Sequence, residues 1–344
     1  MKRILFLIIL LMIISCANTV SSSNNNIINL PNWINEPSKK YPSEMYITAV
    51  GTGDTKSHAE NNAYANISKI FQSDVKVKEE IIEQYKETGI GKDSELSSSV
   101  DLISNYSIGS SQSLKNVKIA ETYFNAKDGL YYVLAYLDRM ETALIYKKEI
   151  VKNNQIIQKY YQQYKDSPDK LDKLYFLQYA VDFGEINDIL NTQLSVIEPS
   201  NEEIVSPISL EKLRIEYKAL TKSIKVAITV SGEYTEEIES YLMVIMSRFG
   251  FSVVEDSEAD LVFRTALKIE DVPLERRENF VRWNLTIVVK NNLSGSDDLT
   301  FTKSGREGHI NKSEARNRAL RTVNKVIQKD FYTYLRTNII RENQ

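Results

Sequence analysis

Residues 49–67 read AVGTGDTKSHAENNAYANI, and the pattern of this stretch decides the fold at the start of the chain. A β-rich run from Tyr46 to Val50 predicts a strand that ends in two closely spaced glycines. Apolar residues then recur every four positions, at Ala59, Ala63, Ile67 and Phe71. This spacing predicts a helix with one narrow apolar stripe, and its small residues would let it lie close on a sheet.

The two glycines, Gly51 and Gly53, raise the question of a phosphate-binding loop. A dinucleotide fingerprint requires a third glycine where this chain has Lys56, and the Gly-Lys-Ser/Thr ending of a P-loop is absent. We therefore interpret the pair as a tight turn into a helix that opens with a capping box of Ser57 and Glu60. No nucleotide cofactor is expected here.

The N-terminus has the features of an export signal. Lys2 and Arg3 precede an apolar run of about 11 residues, which suits a signal peptide and is short of the roughly 20 that span a bilayer. The run ends in Ile13-Ile14-Ser15-Cys16, which resembles the lipobox of bacterial lipoproteins. The resemblance implies that Cys16 is lipidated and anchors the protein in a membrane. An ordinary signal peptide with an incidental cysteine is the alternative.

Cysteine content and charge exclude several kinds of site. Cys16 is the single cysteine, so its lipidation leaves no thiol for a disulfide, a metal site or a nucleophile. The net charge is −3, and loss of Lys2 and Arg3 takes it to about −5. Basic and acidic residues are interspersed, which is typical of a solvated surface. Because no basic patch is evident, we expect no nucleic-acid partner.

The pattern of apolar residues predicts the α+β class, with two small antiparallel-sheet-plus-helix domains joined by a helical connector. The composition, 42% hydrophobic and 26% charged, is that of a folded protein. The predicted segments are a signal peptide (1–16), a flexible tether (17–30), an α+β domain (31–150), the connector (151–208) and a second α+β domain (209–344).

Individual elements follow from local patterns. In the first domain, residues 75–81 predict a second strand, residues 95–106 a weak helix, and Asp128-Gly129 a hairpin turn. The connector is predicted as two helices, 140–163 and 171–194, separated at Ser167-Pro168. In the second domain the predicted strands are 225–230, 251–254, 261–269, 281–289 and 300–302. A helix ends at Gly250, and a C-terminal helix begins near Asn311.

Residues able to carry chemistry are sparse. His58 and His309 are about 250 positions apart and lack the ligand spacing of a zinc site, so we predict a surface position for His58 and a loop position for His309. No Gly-x-Ser-x-Gly elbow occurs. The pairs Tyr131-Tyr132 and Tyr160-Tyr161 suit glycan contact, although half-buried packing is the commoner role. We predict no catalytic residue, no metal site and no cofactor.

Several motifs resemble the LPP-twenty type of bacterial lipoprotein. They are Pro31-Asn32-Trp33, the strand from Ile47 to Gly53, the helix carrying Ala59 and Ala63, and the run LYYVLAYLDR at 130–139. That group includes flagellum-associated outer-membrane lipoproteins such as FlgP, and its domain is similar to the N-terminal domain of FlgT. The resemblance implies a small α+β domain on a tethered envelope lipoprotein, and it brings no catalytic residues.

The leading functional hypothesis is a non-enzymatic envelope lipoprotein in the outer membrane that faces the periplasm, with the cell surface as the alternative orientation. Ala17 after the cysteine motivates the outer-membrane prediction, because aspartate there commonly retains lipoproteins in the inner membrane. Expected partners are envelope proteins, with a flagellar or secretion assembly as a narrower version, and a homo-oligomer. A peptidoglycan- or small-ligand-binding module is the alternative, and an envelope hydrolase is a third hypothesis.

Overall fold

The computed structural model of this chain describes residues 30–87, 114–200, 202–273, 277–293 and 299–339, with only the backbone at residues 72–87. The signal peptide with Cys16, the tether and the helix expected at residues 95–106 lie outside these ranges, so those predictions are not tested. The α+β class is confirmed, since the described helices pack on two sheets.

The first sheet has the strand order β1–β3–β2 and is antiparallel throughout, with β1 at Tyr46–Gly53, β2 at Lys118–Asn125 and β3 at Leu130–Asp138. The predicted hairpin between β2 and β3 is confirmed, and Gly129 at its turn has a φ of 72°. One face carries Val133, Ala135 and Leu137 of β3, and all three are buried.

Helix α2 (Lys56–Glu87) covers that face of the first sheet. The predicted stripe is confirmed, since Ala59, Ala63, Ile67 and Phe71 are all buried in the core beneath it. The strand predicted at residues 75–81 is wrong, because α2 continues through them. The physical reason lies in the run KVKEEIIEQYKE, whose Lys, Glu and Gln residues propagate a helix that has already begun.

The start of α2 differs from the predicted capping box. The helix begins at Lys56, and Thr55 is the residue that caps it: the backbone N–H of His58 donates to Thr55 Oγ1 at 3.2 Å. Ser57 already lies inside the first turn, and Glu60 Oε1 lies 3.6 Å from Lys56 Nζ instead. The prediction chose the wrong one of two hydroxyl-bearing residues that stand two positions apart, since both can serve as helix caps.

The other face of the first sheet is covered by the segment that leads into β1. This segment contains α1 (Asn32–Asn35), which lies against β3. Trp33 is buried, Leu134 of β3 is fully buried, and the ring of Tyr41 stacks on that of Tyr136 with centroids 5.6 Å apart. Both faces of this small sheet are therefore shielded from water.

Two long antiparallel helices, α3 (Arg139–Asp166) and α4 (Lys170–Ile197), form a helical hairpin. Both helices were predicted, but their antiparallel pairing was not. Each has 28 residues, so the hairpin is about 42 Å long. A shorter helix, α5 (Leu210–Ser223), packs on α4 and was not predicted. It passes so close that a Cβ on Gly184 would lie 2.9 Å from Leu210 Cδ1.

The second sheet has the order β5–β4–β6–β7–β8 and is mixed. Its strands are β4 (Lys225–Gly232), β5 (Ser252–Val253), β6 (Leu261–Val272), β7 (Asn279–Asn291) and β8 (Leu299–His309). Strand β4 runs parallel to β5 and β6, whereas β6, β7 and β8 are antiparallel, so only this part of the sheet has the predicted direction. The reason is the crossover through α6 (Thr235–Phe249), which returns the chain to the same end of the sheet.

One face of the second sheet is covered by helices, including the long C-terminal one. That helix consists of α7 (Lys312–Lys325), a π-helical segment (Val326–Phe331) and α8 (Tyr332–Asn338). Its predicted start is confirmed, because Asn311 Oδ1 accepts from the backbone N–H of Ser313 at 2.8 Å. Its apolar stripe is buried, at Ala319, Val323, Ile327, Phe331 and Leu335.

The helical hairpin contributes to both hydrophobic cores. The core of the first sheet takes Tyr146 and Ile150 of α3. The core of the second sheet takes Ile157 of α3 and Leu177 of α4. A buried polar layer lies between these sections, where Asn187 Nδ2 donates to Asn154 Oδ1 at 2.9 Å. The two sheets are thus attached to the same pair of helices.

Candidate functional site

A groove opens where β3 runs directly into α3, and its cavity volume is about 550 Å³. The groove is bounded by the loop before β1, the first two turns of α3 and the C-terminal end of α4. Its lining is Ser43, Glu44, Met45, Asp138, Arg139, Met140, Ala143, Leu144, Lys147, Ile197, Glu198, Pro199 and Ser200. Three separate parts of the chain therefore meet at this surface.

Arg139 holds these three parts together. Its Nε donates to the carbonyl of Ser43 at 2.8 Å, and its Nη1 donates to the carbonyls of Val196 and Ile197 at 2.7 Å each. Burial lowers the pKa of the Arg139 guanidinium. The group keeps its charge at neutral pH, because the ordinary pKa of arginine lies far above neutrality. Its hydrogen bonds to three carbonyls fix the shape of the groove.

The polar groups around the groove are engaged in local structure. Asp138 caps α3, since the backbone N–H of Glu141 donates to Asp138 Oδ1 at 2.9 Å. Lys147 forms an ion pair with Glu198 at 2.6 Å. These carboxylates and this amine are therefore occupied in holding the helix ends, which favours a binding or structural role over acid–base chemistry.

The rim of the groove is apolar and exposed. The exposed fractions are 53% for Met45, 73% for Met140 and 64% for Leu144. Clustered exposed hydrophobic side chains mark contact surfaces more often than scattered ones do. Sequence reasoning missed this groove, although Met140 and Leu144 stand four residues apart on a predicted helix, which is the spacing of one helical face.

The glycines of the opening motif serve close packing. Neither Gly51 nor Gly53 has a positive φ, and both belong to β1 itself. A Cβ on Gly51 would lie 2.1 Å from the backbone nitrogen of Ala63, and one on Gly53 would lie 2.6 Å from that of Ala59. The interpretation of the glycines as a tight turn is therefore wrong. Glycine is needed at these positions because it lets α2 approach the strand closely.

Two asparagines of α2 complete this contact. Asn62 Nδ2 donates to the carbonyl of Thr52 at 2.7 Å, and Asn66 Nδ2 donates to that of Val50 at 2.9 Å. Strand β1 is an edge strand of its sheet, so these bonds occupy carbonyls that would otherwise accept from another strand. Sequence reasoning missed both residues, and their spacing of four on a helix after a strand was the available signal.

The two histidines lie on different elements, His58 in α2 on the first sheet and His309 in β8 of the second sheet, so the structure does not bring them together. His58 is exposed at the start of α2, as predicted, and its Nδ1 lies 2.6 Å from Asp54 Oδ1. The side-chain hydrogen bond with His58 lowers the pKa of Asp54. His309 is the last residue of β8 and accepts from the backbone N–H of Asn311, so its prediction as a loop residue is wrong.

The tyrosine pairs are engaged in packing and hydrogen bonds within the protein. Their partners are Phe124 for Tyr131, Asp128 for Tyr132, Tyr179 for Tyr160 and Glu216 for Tyr161. The phenol of Tyr161, for example, donates to Glu216 at 2.8 Å. These contacts agree with the interpretation as half-buried packing.

Metal and membrane sites can be assessed for the part of the chain that the structure describes. There, the His, Asp and Glu side chains form no group of three or more that could hold a metal ion. Likewise, none of the helices within those ranges combines the length and apolar character of a membrane span. The predicted lipidation site, Cys16, lies outside the described residues and stays a prediction.

Helices packed on an antiparallel and a mixed sheet, with a groove formed at the start of the helical hairpin, define an α+β protein. Residues 31–138 match the LPP20 lipoprotein family, which confirms the family resemblance over that part of the chain. The match contains the first sheet and α2, and it ends at the residue that caps α3. It supports an envelope lipoprotein, and the family is not one of known enzymes.

Solved structures with some likeness to this chain include a secreted protein and two lipoproteins. The secreted protein HP1454 from Helicobacter pylori has a TM-score of 0.40 and 14% identity, and the match covers 82% of this chain and 96% of that one. For a minor lipoprotein from Acinetobacter baumannii, the TM-score is 0.25 and the identity is 18%, and the match covers 35% of this chain and 92% of that one. For rare lipoprotein B from Shewanella oneidensis, the TM-score is 0.24 and the identity is 15%, and the match covers 32% of this chain and 95% of that one. Among curated proteins, none matches the chain significantly.

Proposed function

We propose that this protein is a non-enzymatic structural or assembly lipoprotein of the outer membrane, facing the periplasm. The observation that supports this role is the helical hairpin α3–α4, which belongs to both hydrophobic cores. A pair of helices buried at both ends resists bending, because bending would open packed contacts in one core or the other. Such a body can hold two binding surfaces at a fixed separation from a membrane anchor.

The packing of the polar layer supports the same role. Glu185 of α4 is almost fully buried, and Arg214 of α5 donates to both of its carboxylate oxygens at 2.7 Å. Burying a carboxylate is costly unless its hydrogen bonds are satisfied, so this pair holds α5 at one position on the hairpin. The groove beside Arg139 then presents an apolar surface at one end of the hairpin, where α3 begins and α4 ends.

Crosslinking in cells tests the proposed role. A photoreactive residue at Leu144, on the groove rim, is expected to capture envelope proteins, because this side chain is 64% exposed beside other apolar groups. The matched control is Gln158, which is also exposed on α3 but lies farther along the helix, beyond the groove. Equal capture from both positions, or none from either, would contradict an assembly role at this surface.

Localisation and process need separate measurements. We expect the protein in the outer-membrane fraction, and recovery wholly with the inner membrane would contradict that part of the proposal. A flagellar or secretion assembly is the narrower form of the hypothesis. A deletion strain with normal motility and intact basal structures would exclude the flagellar version while leaving the broader role intact.

A further inference from the structure

Along β6, β7 and β8, one face of the second sheet is not covered by the long helices. Side chains of β6, β7 and β8 alternate, and those on one face are buried under the helices, as with Phe263, Leu285 and Phe301. The opposite face is largely exposed, and we call it the open face. The hairpin packs on the covered side, so the open face points away from the hairpin.

Charge on the open face is strongly segregated. On β6–β8, five side chains of the open face are basic and one, Glu270, is acidic, whereas Asp271 and Glu307 of the same strands belong to the opposite face. The basic set is Arg264, Lys268, Arg282, Lys290 and Arg306. The whole chain carries a net charge of −3, so this concentration of positive charge is opposite in sign to the rest of the protein.

Most of this positive charge is uncompensated within the described residues. Lys268 pairs with Glu270 at 2.5 Å. The other four basic side chains form no ion pair with a carboxylate in the ranges that the structure describes. Arg282 lies directly opposite Arg306 in the β7–β8 register and opposite Glu270 in the β6–β7 register. Like charges at opposed positions destabilise a sheet, so an anion bound between them would relieve this cost.

Between the charges, the open face carries hydrogen-bonding side chains. Thr286 is opposite Thr302, and Asn284 is opposite Ser304. The guanidinium of Arg306 lies 5.3 Å from the centre of the Phe280 ring, a cation–π contact that holds it at the edge of the face. An extended surface with spaced cations and hydroxyl groups suits a polymer that presents repeated carboxylates and hydroxyls.

We propose that the open face binds the carboxylate-bearing polymer of the cell wall, peptidoglycan. The inference rests on the proposed envelope location, and it names a surface for the binding function predicted as the alternative. The spaced cations of the open face complement the repeated carboxylates of this polymer.

Cosedimentation of the full-length protein in nonionic detergent with purified peptidoglycan sacculi tests this. Replacement of three arginines (Arg264→Gln, Arg282→Gln and Arg306→Gln) is expected to raise the dissociation constant about tenfold, since each exposed ion pair contributes modestly. The matched control replaces three exposed lysines of α3 (Lys148→Gln, Lys152→Gln and Lys159→Gln) and should leave binding unchanged. Thermal unfolding of both variants checks that the fold is intact.

Chemical amidation of the sacculi provides a second measurement that does not depend on any variant. The wild-type protein is expected not to bind amidated sacculi, and added salt should weaken its binding to untreated sacculi. Equal binding by both triple variants, unchanged binding to amidated sacculi or no binding at all would overturn the proposal. Preferential binding to anionic phospholipid vesicles would assign the face to a membrane instead. Because no protein partner is involved, failed crosslinking from Leu144 would leave this test unaffected.

Discussion

Gly51 of β1 lies directly beneath Ala63 of α2, so close that a methyl group on the glycine would come within 2.1 Å of the Ala63 backbone nitrogen. Backbone atoms of a helix cannot move aside as a flexible side chain can, so the contact leaves no room for any residue other than glycine. The stripe of small residues in α2 and the glycines of β1 together set the distance between helix and sheet.

We therefore expect Gly51→Ala to destabilise the protein by about 2–3 kcal/mol, because the added methyl group forces α2 off the sheet. The measurement is the free energy of unfolding by urea. Gly129→Ala is the matched control, since its position is open but has a φ of 72°. That change should cost about 1 kcal/mol. A loss at Gly51 no larger than at Gly129 would contradict the close-packing explanation.

The buried amide network should be equally sensitive. Asn187 donates to Asn154 Oδ1 at 2.9 Å and accepts from Asn153 Nδ2 at 2.9 Å. Asn187→Leu leaves both neighbours without this partner inside the hairpin, and we expect a loss of about 2–3 kcal/mol in unfolding free energy. Replacement of all three asparagines by leucine should recover part of that loss. If the triple variant were no more stable than the single one, unsatisfied hydrogen bonding would not be the cause.

Glu216 of α5 gives the protein a measurable pH dependence. Burial disfavours its charged form, but hydrogen bonds from Lys165 and Tyr161 outweigh burial and lower the pKa of the carboxyl group. A lowered folded-state pKa contributes stability above the unfolded value of about 4.3, and that stability is lost as pH falls through the folded pKa. We expect Glu216→Gln to destabilise the protein by about 1–2 kcal/mol at pH 7.

The difference between wild type and Glu216→Gln should shrink as the pH is lowered below about 4.3, because the wild-type carboxyl group then becomes protonated. Thermal unfolding measured from neutral to acidic pH gives this comparison. Glu211→Gln, at an exposed position on the same helix, is the control and should leave the profile unchanged. A constant difference at all pH values would show that packing, not charge, is responsible.

Lipidation at Cys16 is the prediction with the most direct assay. Labelled palmitate should be incorporated into the wild-type protein, and Cys16→Ser should abolish it, since Cys16 is the single thiol of the chain. Ser23→Ala, in the predicted tether, should retain the label. Equal incorporation into Cys16→Ser would show that the cysteine is incidental to an ordinary signal peptide.

Local patterns predicted most elements because each depends on a period that the sequence displays. The spacing of four in α2 and the alternation in β6 and β7 both place apolar residues on one buried face, as the structure shows. Prediction failed where the signal was ambiguous at short range. Val75 and Val77 alternate as in a strand, yet α2 continues through them, because helix propagation from an established start outweighs weak β propensity.

The candidate groove could not be predicted, because its residues are far apart in the sequence. Met45, Arg139 and Ile197 meet only after the first sheet and the hairpin have formed. The charge of the open face was hidden for a similar reason. Arg282 and Arg306 are 24 positions apart and become neighbours through the register of β7 and β8, so the sequence displays them as interspersed charges.

The sequence by itself determined the α+β class, the lipoprotein resemblance and the positions of most helices and strands, since these depend on composition and on contacts between near neighbours. The tertiary structure decided what those elements do together. Pairing of distant strands placed β4 parallel to β6. Close packing of α2 on β1 requires glycine at position 51. The helical hairpin contributes side chains to both hydrophobic cores. Long-range packing selects among arrangements that local preferences leave nearly equal in free energy, which is why only the folded chain reveals its binding surfaces.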